Sequence, residues 1–193
     1  MQTTQEFLSQ LRHAHVAALD ATLAECSDVW NEIADVSAAS LKLGHPLLFC
    51  GNGGSACDAM HIAGEFVGRF IGNRRALPAI ALSADSGILT AVGNDYGFDQ
   101  VFSRQVEAYG KSGSVLFALS TSGSSPNVVK ALEAANRIGV KTVLMTGERG
   151  RNAAVVSDYR LIVPSTVTAH VQEVHMVLLH ALAHLVEQRL GLQ

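Results

Sequence analysis

The chain is an α/β protein built on a five-stranded parallel sheet, flanked by helices in three layers. Three observations predict this. Between residues 47 and 163 lie five short apolar runs, most of them separated by stretches with helical spacing. The runs are apolar at consecutive positions rather than alternating ones, which is the mark of strands buried on both faces. The first and third runs end in Gly- and Ser-rich turns that open helices, as strand-to-helix connections of parallel sheets do.

The elements follow in order. Residues 3–44 carry Phe7, Leu8, Leu11, Val16, Leu19 and Leu23 at helical spacing, and Val29, Ile33 and Val36 continue it. Ser27-Asp28 is a plausible cap between them, so two N-terminal helices are expected. The strands are expected at Leu47–Cys50, Ala79–Leu82, Val115–Leu119, Thr142–Met145 and Leu161–Val163. Between the last two, Gly147 and Gly150 leave room for no more than a turn of helix. A long helix from Ala169 to Leu190 closes the chain, with Val171, Val174, Leu178, Leu182, Leu185 and Val186 on its apolar side. No repeat or linker interrupts residues 1–193. They are read as one domain, with 1–44 serving oligomerisation and 45–193 forming the ligand-binding core.

Bulk composition narrows the function. Hydrophobic residues make up 48% of the 193 and charged residues 16%, an apolar balance that suggests surface buried between subunits. The net charge is -3 without a Lys/Arg-rich run, so no nucleic-acid footprint is expected. No apolar stretch reaches membrane-span length, and the N-terminal residues lack a secretory layout. Cys26, Cys50 and Cys57 show no CxxC spacing and are read as reduced thiols of a cytoplasmic protein.

Ligands of open parallel sheets bind at the carboxyl ends of the strands, so the strand exits hold the candidates. Gly51-Asn52-Gly53-Gly54-Ser55 lets backbone N–H groups approach an anion at a helix N-terminus; an ordinary Gly-rich turn is the alternative. On the helix that follows, His61 and Glu65 share one face, as an acid/base pair or half a metal site. Ser120-Thr121-Ser122-Gly123-Ser124-Ser125 puts five hydroxyls around one glycine ahead of Pro126, either as a phosphate cradle or as a Ser-rich cap. No Gly-Lys-Ser/Thr is present, which excludes a nucleoside-triphosphate P-loop. Asn94-Asp95, between Gly93 and Gly97, suits sugar hydroxyls or a turn. On the last helix Gln172 and His180 stand about 12 Å apart along the axis. They barely converge within one copy, which suggests a site completed by a neighbouring subunit.

These segments, with Asp58-Ala59-Met60-His61, Phe102-Ser103-Arg104-Gln105-Val106-Glu107-Ala108 and Gln172-Glu173-Val174-His175, resemble sugar isomerase (SIS) domains. The likeness is nearest to the phosphoheptose isomerase branch and extends over essentially the whole chain. It implies that sedoheptulose 7-phosphate is converted to D-glycero-D-manno-heptose 7-phosphate through an enediol, at the entry to bacterial surface heptose synthesis. It implies catalysis by Glu65, acting on the carbon-bound proton, and by His180, acting on the oxygen-bound one. It implies substrate contacts from Asn52, Gly53, Gly54, Ser55, Glu65, Asn94, Asp95, Ser120, Thr121, Ser122, Ser125 and Gln172. It further implies one zinc ion per subunit on His61, Glu65, Gln172 and His180, and a homotetramer. His170, Ala169 and Ala56 depart from residues common in relatives, which bears on fine substrate contacts and not on the reaction class. The competing function is a non-catalytic tetrameric SIS adaptor that binds the replication initiator protein; retention of His61, Glu65 and His180 favours the enzyme.

Overall fold

The computed structural model describes residues 2–154 and 156–192. Among them the order is α1 (Thr4–Lys42), β1 (Leu47–Gly51), α2 (Gly54–Val67), β2 (Ala79–Ala81), α3 (Ser86–Tyr96), α4 (Ser103–Tyr109), β3 (Val115–Leu119), α5 (Pro126–Arg137), β4 (Lys141–Gly147), β5 (Tyr159–Val163) and α6 (Thr168–Arg189). All strand pairs are parallel, in the order β2-β1-β3-β4-β5. The short crossover from β4 to β5 holds one 3₁₀ turn, Glu148–Gly150.

Strand alternation builds two cores. Leu47, Phe49, Val115, Phe117, Leu119, Val143 and Met145 face one side and pack with α1, α2 and α6. Leu48, Cys50, Leu116, Ala118 and Leu144 face the other side and pack with α4 and α5. Both strand faces are covered, so the central runs carry no polar alternation. Phe49 and Phe117 stack across β1 and β3 at 5.0 Å between centroids.

The expected pair of N-terminal helices is a single helix of 39 residues. It starts on a capping box, with Thr3 Oγ1 accepting from the Glu6 N–H and the Glu6 carboxylate accepting from the Thr3 N–H. The helix passes through Ser27-Asp28 because its buried stripe does not lose phase there. Ala18, Thr22, Cys26, Trp30, Ile33, Ser37 and Leu41 follow one another at three- and four-residue steps on the buried side, with Ala34 beside Ile33. Ser27 and Asp28 lie on the exposed side. A residue that favours caps ends a helix only where the chain must turn, and here no turn is required.

The first half of α1 is less covered than the second. Phe7, Leu8, Leu11, Val16 and Leu23 are all exposed in one copy. No helix is long and apolar enough to cross a membrane among the described residues.

Candidate active site

The order 2-1-3-4-5 reverses between β1 and β3, so the crevice opens where those two strands exit. Asn52 follows β1, and Asn127 lies in the first turn of α5 after β3. Their side-chain amides bond reciprocally, each Nδ2 donating to the other Oδ1 at 2.9 Å. That double bond fixes the distance between the two exit loops.

Beside it lies a cleft of 320 Å³, lined by Asn52, Gly53, Gly54, Ser55, Leu119, Ser120, Thr121, Ser125, Thr168 and Gln172. Three helices begin there: α2 at Gly54, α5 at Pro126 and α6 at Thr168. None of the three has a side-chain cap, whereas α1 and α3 are capped by Thr3 and Asp85. Uncapped N-termini present N–H donors and the positive ends of helix dipoles. Three aimed into one cleft make an anion site although no lysine or arginine lines it among the described residues.

Two glycines shape this loop. Gly53 has φ +56°, in the left-handed region. At Gly54 the Gln172 amide lies so close that an added Cβ would stand 2.6 Å from its Nε2. Gln172 Nε2 also donates to Ser55 Oγ at 3.4 Å, and Ser120 and Ser125 hydroxyls meet at 3.3 Å. Ser122 points elsewhere. With Ser124, Arg149 and Asn152 it lines a separate cavity of 530 Å³ on the outer side of the loop.

The helices α2 and α6 run side by side in the same direction, with contacts that continue into the loop after α2. Ser55 meets Gln172, His61 meets His180, and the Phe70 N–H meets Glu187. Two of these contacts belong to the site. At the start of both helices is the anion cleft; about 9 Å further along α2 stands His61. There the ligand atoms of His61, Glu65 and His180 all lie within 4.8 Å of one another. His61 Nε2 is 3.1 Å from His180 Nε2 and 3.3 Å from Glu65 Oε1. A 3.1 Å contact between two ring nitrogens needs one of them neutral and accepting. Phe70 stacks on the His180 ring at 5.5 Å and 17°.

Two imidazole nitrogens and a carboxylate oxygen suit a zinc-type ion, with a position left open for substrate or water. Gln172, the expected fourth ligand, is spent on Ser55 and Gly54 at the other end of the helix pair. Sequence reasoning expected Gln172 and His180 barely to converge within one copy; Gln172 lies beside Ser55 and Gly54, and His180 beside His61. It did not foresee that Glu65 and His180 would meet within one chain.

Asn94 and Asp95 differ from expectation. They sit in the last turn of α3, exposed, with Asn94 Nδ2 donating to Asp95 Oδ1 at 2.8 Å. The turn comes one step later, at Gly97 with φ +87°. Neither residue lines the cleft of its own chain.

Three residues of the site carried no assigned role in the sequence. Asn127 and Thr168 become visible only once β1, β3 and α6 are brought together. Asp58 lies three residues before His61 on the same helical stripe, and its Oδ2 is buried without a hydrogen-bond partner. Burial pushes its carboxyl up to about 6, against the opposing pull of His61.

The chain is similar to proteins of known family. The SIS domain family matches residues 11–147. The phosphoheptose isomerase of Rhodospirillum rubrum is 51% identical over 168 residues, 87% of this chain and 89% of that protein. Among solved structures, phosphoheptose isomerase from Neisseria gonorrhoeae superimposes with a TM-score of 0.89 at 38% identity, covering 96% of this chain and all of that one. The one from Francisella tularensis gives 0.91 at 33% identity, over 97% and 100%. The family match ends before α6, but both solved structures extend over nearly all of the chain. The chain belongs to the phosphoheptose isomerase family of SIS-domain proteins.

Proposed function

We propose that the protein converts D-sedoheptulose 7-phosphate to D-glycero-D-manno-heptose 7-phosphate, a ketose–aldose isomerisation. The observation that carries this reading is the meeting of Glu65 with His180 at one end of a helix pair whose other end forms an anion cleft. The spacing suits a ligand whose reacting carbons lie several bonds from its phosphate. Relatives that share about half of the sequence bear the name of this activity.

The phosphate rests on Ser55, Ser120, Thr121 and Ser125 and on the three helix N-termini. Asn52, the backbone of Gly53 and Gly54, and Gln172 orient the sugar chain. Glu65 takes the proton from carbon 1 of the ketose, and the electrons form the enediol as oxygen 2 gains a proton. Oxygen 1 then loses its proton, carbon 2 receives one, and the aldehyde results. His180 moves the proton between the two oxygens, and Glu65 returns the carbon-bound one. A zinc ion held by His61, Glu65 and His180, with Gln172 recruited on closure, would polarise the carbonyl as a Lewis acid. If Glu65 ligates the ion, it must swing free to act as base.

The remaining assignments belong to the assembled protein. The exposed apolar residues of α1 fit burial in a homotetramer. Asn94 and Asp95, remote from their own cleft, reach the sugar hydroxyls of a neighbouring copy. Ser122 contacts substrate through its N–H, its hydroxyl facing away. Buried Cys26 and Cys50 and unpaired Cys57 fit a cytoplasmic setting.

The reading is tested with sedoheptulose 7-phosphate in deuterated water, followed by NMR, with and without added zinc. Deuterium at carbon 2 of the aldose is expected. If neither exchange nor product appears, the isomerase reading is lost.

A further inference from the structure

One pair of buried charges lies outside the cleft and the triad. Arg74, in the loop after α2, and Glu187, on α6, are each 1% exposed at the side chain. Arg74 Nε donates to Glu187 Oε1 at 2.6 Å. Its other nitrogens turn back onto the end of α2. Nη2 donates to the backbone carbonyl of Glu65 at 2.7 Å, and Nη1 to that of Phe66 at 2.9 Å. The last carbonyls of a helix have no partner within it, and here one guanidinium supplies partners from outside.

The same carboxylate serves the other half of the pair. Glu187 Oε1 accepts from the Phe70 N–H at 3.3 Å, and the Phe70 ring lies against His180. Glu187 stands seven residues beyond His180, two helical turns along the same face. The backbone of Glu65 and the ring of His180 are therefore both tied to a single buried ion pair.

We infer that Arg74 and Glu187 are positioning residues for the isomerisation: they set the separation of Glu65 from His180. This rests on the isomerase reading. A purely stabilising pair would be replaceable by apolar groups, because buried ion pairs are often exchanged for them at little cost in stability. A positioning pair would not, since proton transfer depends on geometry at the scale of a hydrogen bond. Lysine is no substitute for the arginine either, because it keeps the charge but lacks the planar fork that bridges Glu187 and the Glu65 carbonyl.

The test uses Arg74→Lys and the double variant Arg74→Met/Glu187→Leu in the full-length protein. Thermal midpoint, oligomer size, kcat and KM for sedoheptulose 7-phosphate, and crystal structures are compared with wild type. We expect kcat to fall by about tenfold or more, well below the thermal midpoint, with KM within about twofold because the anion cleft lies at the far end of the helices. The crystals should show the His61–Glu65–His180 cluster opened beyond hydrogen-bond reach. Folded variants with undiminished kcat, or with an unmoved cluster, overturn the inference. A wild type without turnover would instead remove the isomerase reading, and the crystallographic distances would still decide the positioning role.

Discussion

Glu65 and His180 come from helices 115 residues apart in sequence, yet no second chain is needed to bring them together. In the proposed mechanism, replacing Glu65 by Gln keeps the shape and removes the base. We expect kcat to fall by about a thousandfold, the usual range for a lost general base, with the thermal midpoint little changed. Steady-state kinetics alongside a melt checks this. His175, one turn beyond Gln172, behaves differently. It is fully buried, neither ring nitrogen makes a hydrogen bond of good geometry, and burial pushes its pKa down to about 4 against a weaker opposing pull from the Thr146 backbone. A histidine so depressed stays neutral when folded but takes a proton when unfolded below about pH 6.5. Stability is therefore lost as pH falls from about 6.5 toward 4, by roughly 3 kcal/mol in total. Asp58 works in the opposite sense over part of that window, because its raised carboxyl favours the folded state on protonation. Urea midpoints at pH 7 and pH 5 should show a smaller acid loss in His175→Leu than in wild type. An equal loss would contradict the assignment.

At the level of elements, the strands were the most legible part. Their apolar runs follow from burial on both faces, and all five came within two residues at each end, the widest differences being β4, which runs two residues further to Gly147, and β5, which begins two residues early at Tyr159. What could not be read was whether Ser27-Asp28 ends a helix. Cap residues state a local preference, while the phase of a buried stripe is decided by the partner it packs on. The same reasoning explains Asn94-Asp95, read as turn chemistry but used as the end of α3, with Gly97 taking the turn. Proline at position 27 tests the continuous α1. Ser27 is exposed, so its side chain is not missed, but the interior of the helix loses a backbone bond. A loss of about 3 kcal/mol or more is expected in chemical denaturation. A change within a few tenths would mean that the helix is already broken there.

For the whole molecule, the cleft was half legible. The glycine and serine loops announced an anion site, but the third helix N-terminus did not, because nothing in Val167-Thr168 distinguishes it until α6 is docked beside α2. The sequence also pointed to a site shared between copies, on the ground that Gln172 and His180 barely converge within one copy. The fold moves that question to Asn94 and Asp95. Mixed oligomers of Glu65→Gln with His180→Gln should stay inactive, because both lesions fall in sites built from one chain. Mixtures of Glu65→Gln with Asp95→Ala should recover about a quarter of wild-type activity on random assembly. Two inactive parents that give no recovery would place Asp95 in the same chain's site as Glu65, and an active Asp95→Ala parent would place Asp95 outside the site.

A binding place furnished with peptide dipoles and hydroxyls, and with no fixed cation at its wall among the described residues, has a practical corollary. Dissolved chloride has no strong ionic bond there to weaken, so the Michaelis constant should hardly respond to sodium chloride up to several hundred millimolar, a regime in which lysine-lined pockets lose their grip. Tetrahedral oxyanions such as sulfate should compete by shape instead, in proportion to how well they match the donors of the three helix ends.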